Sequence, residues 1–208
     1  MLIGDSIADQ TAPYLAPLLG GRHLVDSYFG GTAPCDWVTK HPPISHGSTV
    51  VISFIGNSFT PCMSDGAGGH LEGEAISKRY RVAVATLIDQ SVAAHARVVL
   101  VGQPAHIDPH DRFNTVRALN AIYQSMATRP DVTYVDAGAT VENPDGSFAH
   151  ALPCLANEVS CGPSGTNVVR NDDGVHFCPG APERGPCAHY SSGAFRFANA
   201  IAHAVPGV

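Results

Sequence analysis

The chain has 208 residues, room for one domain with a buried core and short for two. Its composition, 44% apolar and 14% charged, excludes the profile of a disordered segment. A formal net charge of −6 with no lysine/arginine cluster argues against nucleic acid or an anionic membrane as partner, and no apolar run is long enough to span a bilayer.

Met1–Gly4 reads as a strand that ends at Gly4-Asp5-Ser6. Buried parallel strands usually have about five or six residues. The brevity of this one, with no signal peptide before it, predicts a chain trimmed from a longer protein. Ala8–Leu19 has helical spacing, and Pro13 and Pro17 predict an irregular or broken helix there. His23–Ser27 reads as a short strand before the Gly30-Gly31 turn. Thr49–Ile55 is apolar nearly throughout and bounded by Gly47 and Gly56, which suits a central parallel strand covered on both faces.

Glu72–Ala96 is the longest helical stretch, with Val82, Ala85, Leu87, Ile88, Val92 and Ala96 along its apolar side. Arg97–Val101 is another buried strand. Asp111 is placed to cap a helix over Phe113–Thr128, and Val132–Val135 is a fifth strand. Residues 138–187 form a long stretch rich in Gly, Pro, Asn and Asp, of the kind that is usually functional when ordered. Ser191–Val205 closes the chain as a helix. Strands alternating with helices specify an α/β fold with a parallel sheet, and with no linker or internal repeat residues 1–208 read as a single domain.

The six cysteines, Cys35, Cys62, Cys154, Cys161, Cys178 and Cys187, are even in number and lie in loop-like contexts, which predicts three disulfides and an oxidising, extracytoplasmic compartment. Six cysteines allow fifteen pairings. Local closure favours Cys154–Cys161 and Cys178–Cys187, leaving Cys35–Cys62 as the longer bridge. No Cys-x-x-Cys pair occurs, so no zinc site is expected. His106-Ile-Asp-Pro-His110-Asp111 looks metal-like but satisfies no zinc or calcium spacing cleanly; it reads as a solvated loop or, since it follows the fourth strand, as part of a substrate cleft. Trp37, beside Cys35, reads as a packed aromatic that anchors its loop, with an acyl or sugar platform as the alternative.

Four short constellations carry chemistry. Ser6 stands where a strand runs into a helix, so it projects from the carboxyl end of the sheet beside free helix N–H groups; taken alone it is also an ordinary helix N-cap. Asp173-Gly-Val-His176 places a carboxylate and an imidazole on one turn, with Asp172 as a rival orienter at poorer spacing. Gly56-Asn57 ends the most apolar strand with a side-chain amide able to donate to an oxyanion. Gly30-Gly31-Thr32 follows the second strand and could present a backbone N–H to the same point.

In this order, the motifs Gly4-Asp5-Ser6, Gly31, Gly56-Asn57 and Asp173-x-x-His176 resemble the four blocks of the SGNH (GDSL-like) hydrolase superfamily. Asp173-Gly-Val-His-Phe-Cys-Pro and the cysteines are similar to secreted actinobacterial members and to SGNH domains of membrane acyltransferases. The first block has Ile7 after Ser6 where leucine is usual, and the third lacks the acidic residue that often follows Asn57. The resemblance implies a three-layer α/β/α sandwich with a mainly parallel five-stranded sheet. It implies Ser6 as nucleophile, His176 as general base and Asp173 as its orienter. The N–H groups of Ser6 and Gly31 and the Asn57 amide would form the oxyanion hole. It implies a small-molecule, glycan or lipid ester as substrate, no cofactor, and a secreted or cell-envelope location. Two alternatives stand beside the esterase: an O-acyltransferase acting on cell-envelope glycans, and a non-catalytic binding module of the same fold.

Overall fold

The computed structural model describes residues 1–107, 115–179 and 185–207. In chain order the elements of the main sheet and its helices are β1 (Leu2–Gly4), α1 (Ser6–Leu18), β2 (Asp26–Tyr28), α2 (Pro34–Lys40), β3 (Thr49–Ser53), α3 (Glu74–Ala93), β4 (Arg97–Val101), α4 (Thr115–Met126) and β5 (Val132–Val135). A hairpin of β6 (Ala151–Pro153) and β7 (Thr166–Val168) follows, and then α5 (Ser192–Ala204). The five strands lie in the order β2-β1-β3-β4-β5, and every neighbouring pair is parallel.

Residues along β3 and β4 alternate between two cores, because successive side chains of a strand point to opposite faces. Val51, Val99 and Val101 pack with Ile7, Leu15, Phe197 and Ile201, so α1 and α5 form one outer layer. Val50, Ile52, Val98 and Leu100 pack with Tyr80, Leu87, Leu119 and Tyr123, so α3 and α4 form the other. The molecule is therefore the expected three-layer α/β/α sandwich.

Three local expectations change. The helix over the first block is continuous through Pro13 and Pro17. Both prolines lie on its exposed side, while Ile7, Ala8, Thr11 and Leu15 bury the opposite side. The second strand runs over Asp26–Tyr28 rather than His23–Ser27, because its three residues register on Leu2, Ile3 and Gly4 of β1. The long stretch after β5 contains the antiparallel β6–β7 hairpin, and α2 is a further element too short for periodicity to announce. The expected cap at Asp111 and helix start at Phe113 lie outside the described residues.

Sheet order positions the site. From β1 the chain steps to β2 on one side and then to β3 on the other, so the crevice at the carboxyl end of β1 lies between diverging connections, where open α/β sheets bind ligands. Gly4 makes this crossing tight: a Cβ there would stand 2.3 Å from Ala8 Cβ and 2.5 Å from the Ser53 carbonyl oxygen.

Candidate active site

Asp5, not Ser6, is the N-cap of α1, its Oδ1 accepting from the Ile7 N–H at 3.1 Å. Ser6 is thereby the first helical residue, and its hydroxyl is free to engage elsewhere. Its Oγ lies 2.9 Å from His176 Nε2, and His176 Nδ1 lies 2.7 Å from Asp173 Oδ2. Ser6 is only 5% exposed, so this contact between residues 170 positions apart is shielded from bulk water.

The turn that carries the pair is built by Asp173 itself. Its Oδ1 accepts the backbone N–H groups of Val175 and His176 at 2.8 and 2.9 Å, leaving Oδ2 for the imidazole. Burial alone would raise the Asp173 pKa, but the His176 and Val175 N–H groups and the imidazole more than offset it and hold the carboxyl below its ordinary range. Gly174 completes the turn at φ 75°, and a Cβ there would meet Ile107 Cγ1 at 2.3 Å. Asp172, the rival orienter, instead bonds His150 at 3.0 Å.

Asn57 lies at the same end of the sheet. Its amide donates to Asp5 Oδ2 at 3.0 Å and, in a longer contact of 3.3 Å, to the Thr32 carbonyl. The first, third and second motifs are thus joined through one side chain. Asp5 Oδ2 also accepts the Ile55 N–H at 2.8 Å. Burial raises the Asp5 pKa to about 6, although the Ile55 and Ile7 N–H groups, His176 and Asn57 all act to lower it. Tyr80 donates to the Asn57 carbonyl at 2.9 Å and Tyr123 to that of Phe54 at 3.1 Å, so α3 and α4 both pin the segment after β3.

Gly31 turns the segment after β2 at φ 80°, and Thr32 fastens it. The Thr32 hydroxyl bonds the Phe29 carbonyl at 2.7 Å and accepts from the buried Trp37 indole at 3.1 Å, so Trp37 is a packed anchor. Cys35–Cys62, Cys154–Cys161 and Cys178–Cys187 are bridged, with Cα separations of 6.0, 5.8 and 5.0 Å. The first ties α2 to the segment after Asn57, the second closes the loop between β6 and β7, and the third lies just beyond His176. Exposed Phe29, Phe59 and Ile107 stand on the segments after β2, β3 and β4. Among the described residues no group of three or more His, Cys, Asp or Glu side chains is arranged to hold a metal. His110 and Asp111 lie outside the described residues.

Sequence reasoning assigned no role to three residues that brace this site. Gln10, fully buried on α1, accepts the Phe177 N–H at 2.8 Å and so ties the nucleophile's helix to the residue after His176. Asp5 is the common acceptor described above. Arg170, also fully buried, donates to the Ala105 carbonyl on the segment after β4 and to the Gly174 carbonyl on the Asp173–His176 turn. A lone Gln in a helix and a lone Arg in a polar loop carry no sequence signal, since both are ordinarily exposed. For Asp5, its place beside the serine was the available cue.

Comparison with known proteins agrees with this fold. The family described as a protein of unknown function, DUF459, matches residues 1–183. No curated protein matches the sequence. Among solved structures, a protein of Bacteroides fragilis NCTC 9343 assigned as an acylhydrolase superposes with a TM-score of 0.58 at 17% identity, covering 98% of this chain and 84% of its own. A mutant of an acetyl-xylooligosaccharide esterase from Geobacillus gives 0.54 at 16% identity, covering 97% and 90%. The C-terminal catalytic domain of the peptidoglycan O-acetyltransferase A of Streptococcus pneumoniae gives 0.53 at 17% identity, covering 98% and 90%.

Proposed function

Because this chain belongs to the DUF459 family and has the fold of the SGNH acylhydrolases, we propose that it is a serine esterase acting on carboxylic esters through an acyl-Ser6 intermediate. The observation that carries the reading is the relay from Ser6 Oγ through His176 to Asp173, at 2.9 and 2.7 Å.

In this mechanism Ser6 Oγ attacks the acyl carbonyl carbon while His176 Nε2 takes the hydroxyl proton. Asp173 keeps Nδ1 protonated in the resting enzyme and stabilises the imidazolium that forms. Negative charge on the carbonyl oxygen is met by the Ser6 and Gly31 N–H groups and by the Asn57 amide, whose 3.3 Å contact with Thr32 is the weaker of its two and the one an oxyanion replaces. Collapse of the tetrahedral adduct expels the alcohol, which takes the proton from His176. Water then attacks the acyl-enzyme with His176 again as base, and the carboxylic acid leaves Ser6 restored.

Short acyl chains, or O-acyl groups on glycans or lipids, are the substrates. Three disulfides support an extracytoplasmic location, secreted or in the cell envelope, and no described helix is long and apolar enough to cross a membrane. The shared fold of the O-acetyltransferase domain favours a second reading, in which a glycan hydroxyl replaces water as acceptor.

The test is hydrolysis of p-nitrophenyl acetate and butyrate by the wild type beside Ser6→Ala. Clear wild-type turnover that falls by about 10³-fold or more in the variant is expected. A folded wild type without turnover removes simple ester hydrolysis, and product analysis with a sugar acceptor then decides on transfer.

A further inference from the structure

Arg170 immediately precedes the turn that carries Asp173 and His176. Its side chain is the largest of those fully buried among the described residues. A guanidinium has five N–H donors in a fixed planar fork, and burying it requires acceptors in that plane. Nη1 donates to the Ala105 carbonyl at 2.9 Å, and Nη2 donates to the carbonyls of Gly174, at 3.2 Å, and Val175. Two of these three acceptors are the carbonyls of the two residues that separate Asp173 from His176. The third belongs to the segment after β4, whose Ile107 N–H donates in turn to the Gly174 carbonyl at 3.2 Å.

Phe148 and Phe177 stand 5.5 and 5.4 Å from the guanidinium carbon, with their rings toward it. Among the described residues the carboxylates whose fields act on the cation are Asp173 and Glu142, and the latter accepts the Ala105 N–H. A cation aimed at neutral carbonyls is an expensive way to close a turn. The same fixed fork is, however, suited to holding two successive peptide groups at set angles.

We propose that Arg170 is a positioning residue for the proposed reaction: by gripping the Gly174 and Val175 carbonyls it fixes the Asp173–His176 pair in the geometry that accepts the Ser6 proton. The proposal rests on the serine-esterase reading for its kinetic consequence and on the Arg170 hydrogen bonds alone for its geometric one.

The experiment compares wild type, Arg170→Met and Arg170→Lys by steady-state kinetics on p-nitrophenyl acetate, well below each protein's melting temperature. The low-field proton resonance of the hydrogen bond between His176 Nδ1 and Asp173 is recorded in parallel. Loosening of the turn in Arg170→Met should lower kcat by roughly 10- to 100-fold with KM within about twofold, and should shift or erase the resonance. Arg170→Lys keeps the charge but not the fork, so it should recover part of the lost kcat and a displaced resonance. A folded Arg170→Met with wild-type kcat and an unmoved resonance overturns the proposal, as that variant would then have lost stability alone. Where Arg170→Met does not fold, Arg170→Lys carries the decision, and its equality with wild type in both readouts overturns the proposal equally. A wild type without Ser6-dependent turnover defeats the esterase reading, whereas the resonance still decides the part played by Arg170.

Discussion

Asp5 accepts three hydrogen bonds in a fully buried setting, from the N-terminus of α1, from the Ile55 peptide and from the Asn57 amide. It thereby fixes how the nucleophile's helix sits against the oxyanion donor proposed at Asn57. Replacing Asn57 with alanine removes one such donor and should lower kcat by about 10²–10³. A loss under about threefold in steady-state assays takes Asn57 out of the reaction. At this scale Ser6, Asn57, Asp173 and His176 were legible, because each is a chemically distinctive side chain at the end of a strand or on a glycine turn. Gln10 and Arg170 were not. Their roles consist of bonds to backbone groups that only folding brings near, such as the Ala105 carbonyl 65 residues from Arg170.

The elements around the site are held by cross-links of different reach. Cys35–Cys62 spans 27 residues, whereas Cys154–Cys161 and Cys178–Cys187 span 7 and 9. Loop-closure entropy assigns about 3.5 kcal/mol to the first and about 2.4–2.6 kcal/mol to the others. Paired Cys→Ser variants should therefore lose most stability at Cys35/Cys62, as read by urea denaturation, and equal losses for all three would remove chain entropy as the dominant contribution. The β6–β7 excursion has a second fastening in the buried pair of Glu158 and Arg196, at 2.6 Å, which joins it to α5. Glu158→Ala would remove the carboxylate partner of a buried guanidinium and should cost about 3–5 kcal/mol; a change below about 1 kcal/mol in the same assay would show that this pair does not fasten the hairpin to α5. Long strands and helices were readable from period and composition. The hairpin was not, since its three-residue strands are too short for alternation to register.

For the molecule as a whole, the site and the stability respond to pH through the same carboxylates. The Asp5 pKa rises from 3.8 to about 6 on folding, so at intermediate pH the native state keeps a proton that the unfolded chain has released. Its contribution to stability is full below about pH 4 and is lost as pH rises through about 6. Asp173, held below its ordinary value, acts in the opposite sense, adding stability above its unfolded pKa that is lost as pH falls. Asp5→Asn should flatten the decline between about pH 4 and 6 in denaturation free energies. An unaltered slope would show that Asp5 does not take up that proton on folding.

The alternation of the longer strands and helices, the parallel sheet and the three motifs at strand carboxyl ends were determined by the sequence alone, because periodicity, turn residues and strand ends are local properties. The continuity of α1 through two prolines, the bond from Ser6 to His176 across 170 residues and the burial of Arg170 beneath that pair's turn were decided only by tertiary structure. Each depends on which faces pack together: an exposed side that tolerates the prolines, a sheet order that sets β1 between β2 and β3, and two phenylalanine rings that flank a cation. Such arrangements follow from distances between residues far apart in the chain, which no local pattern encodes.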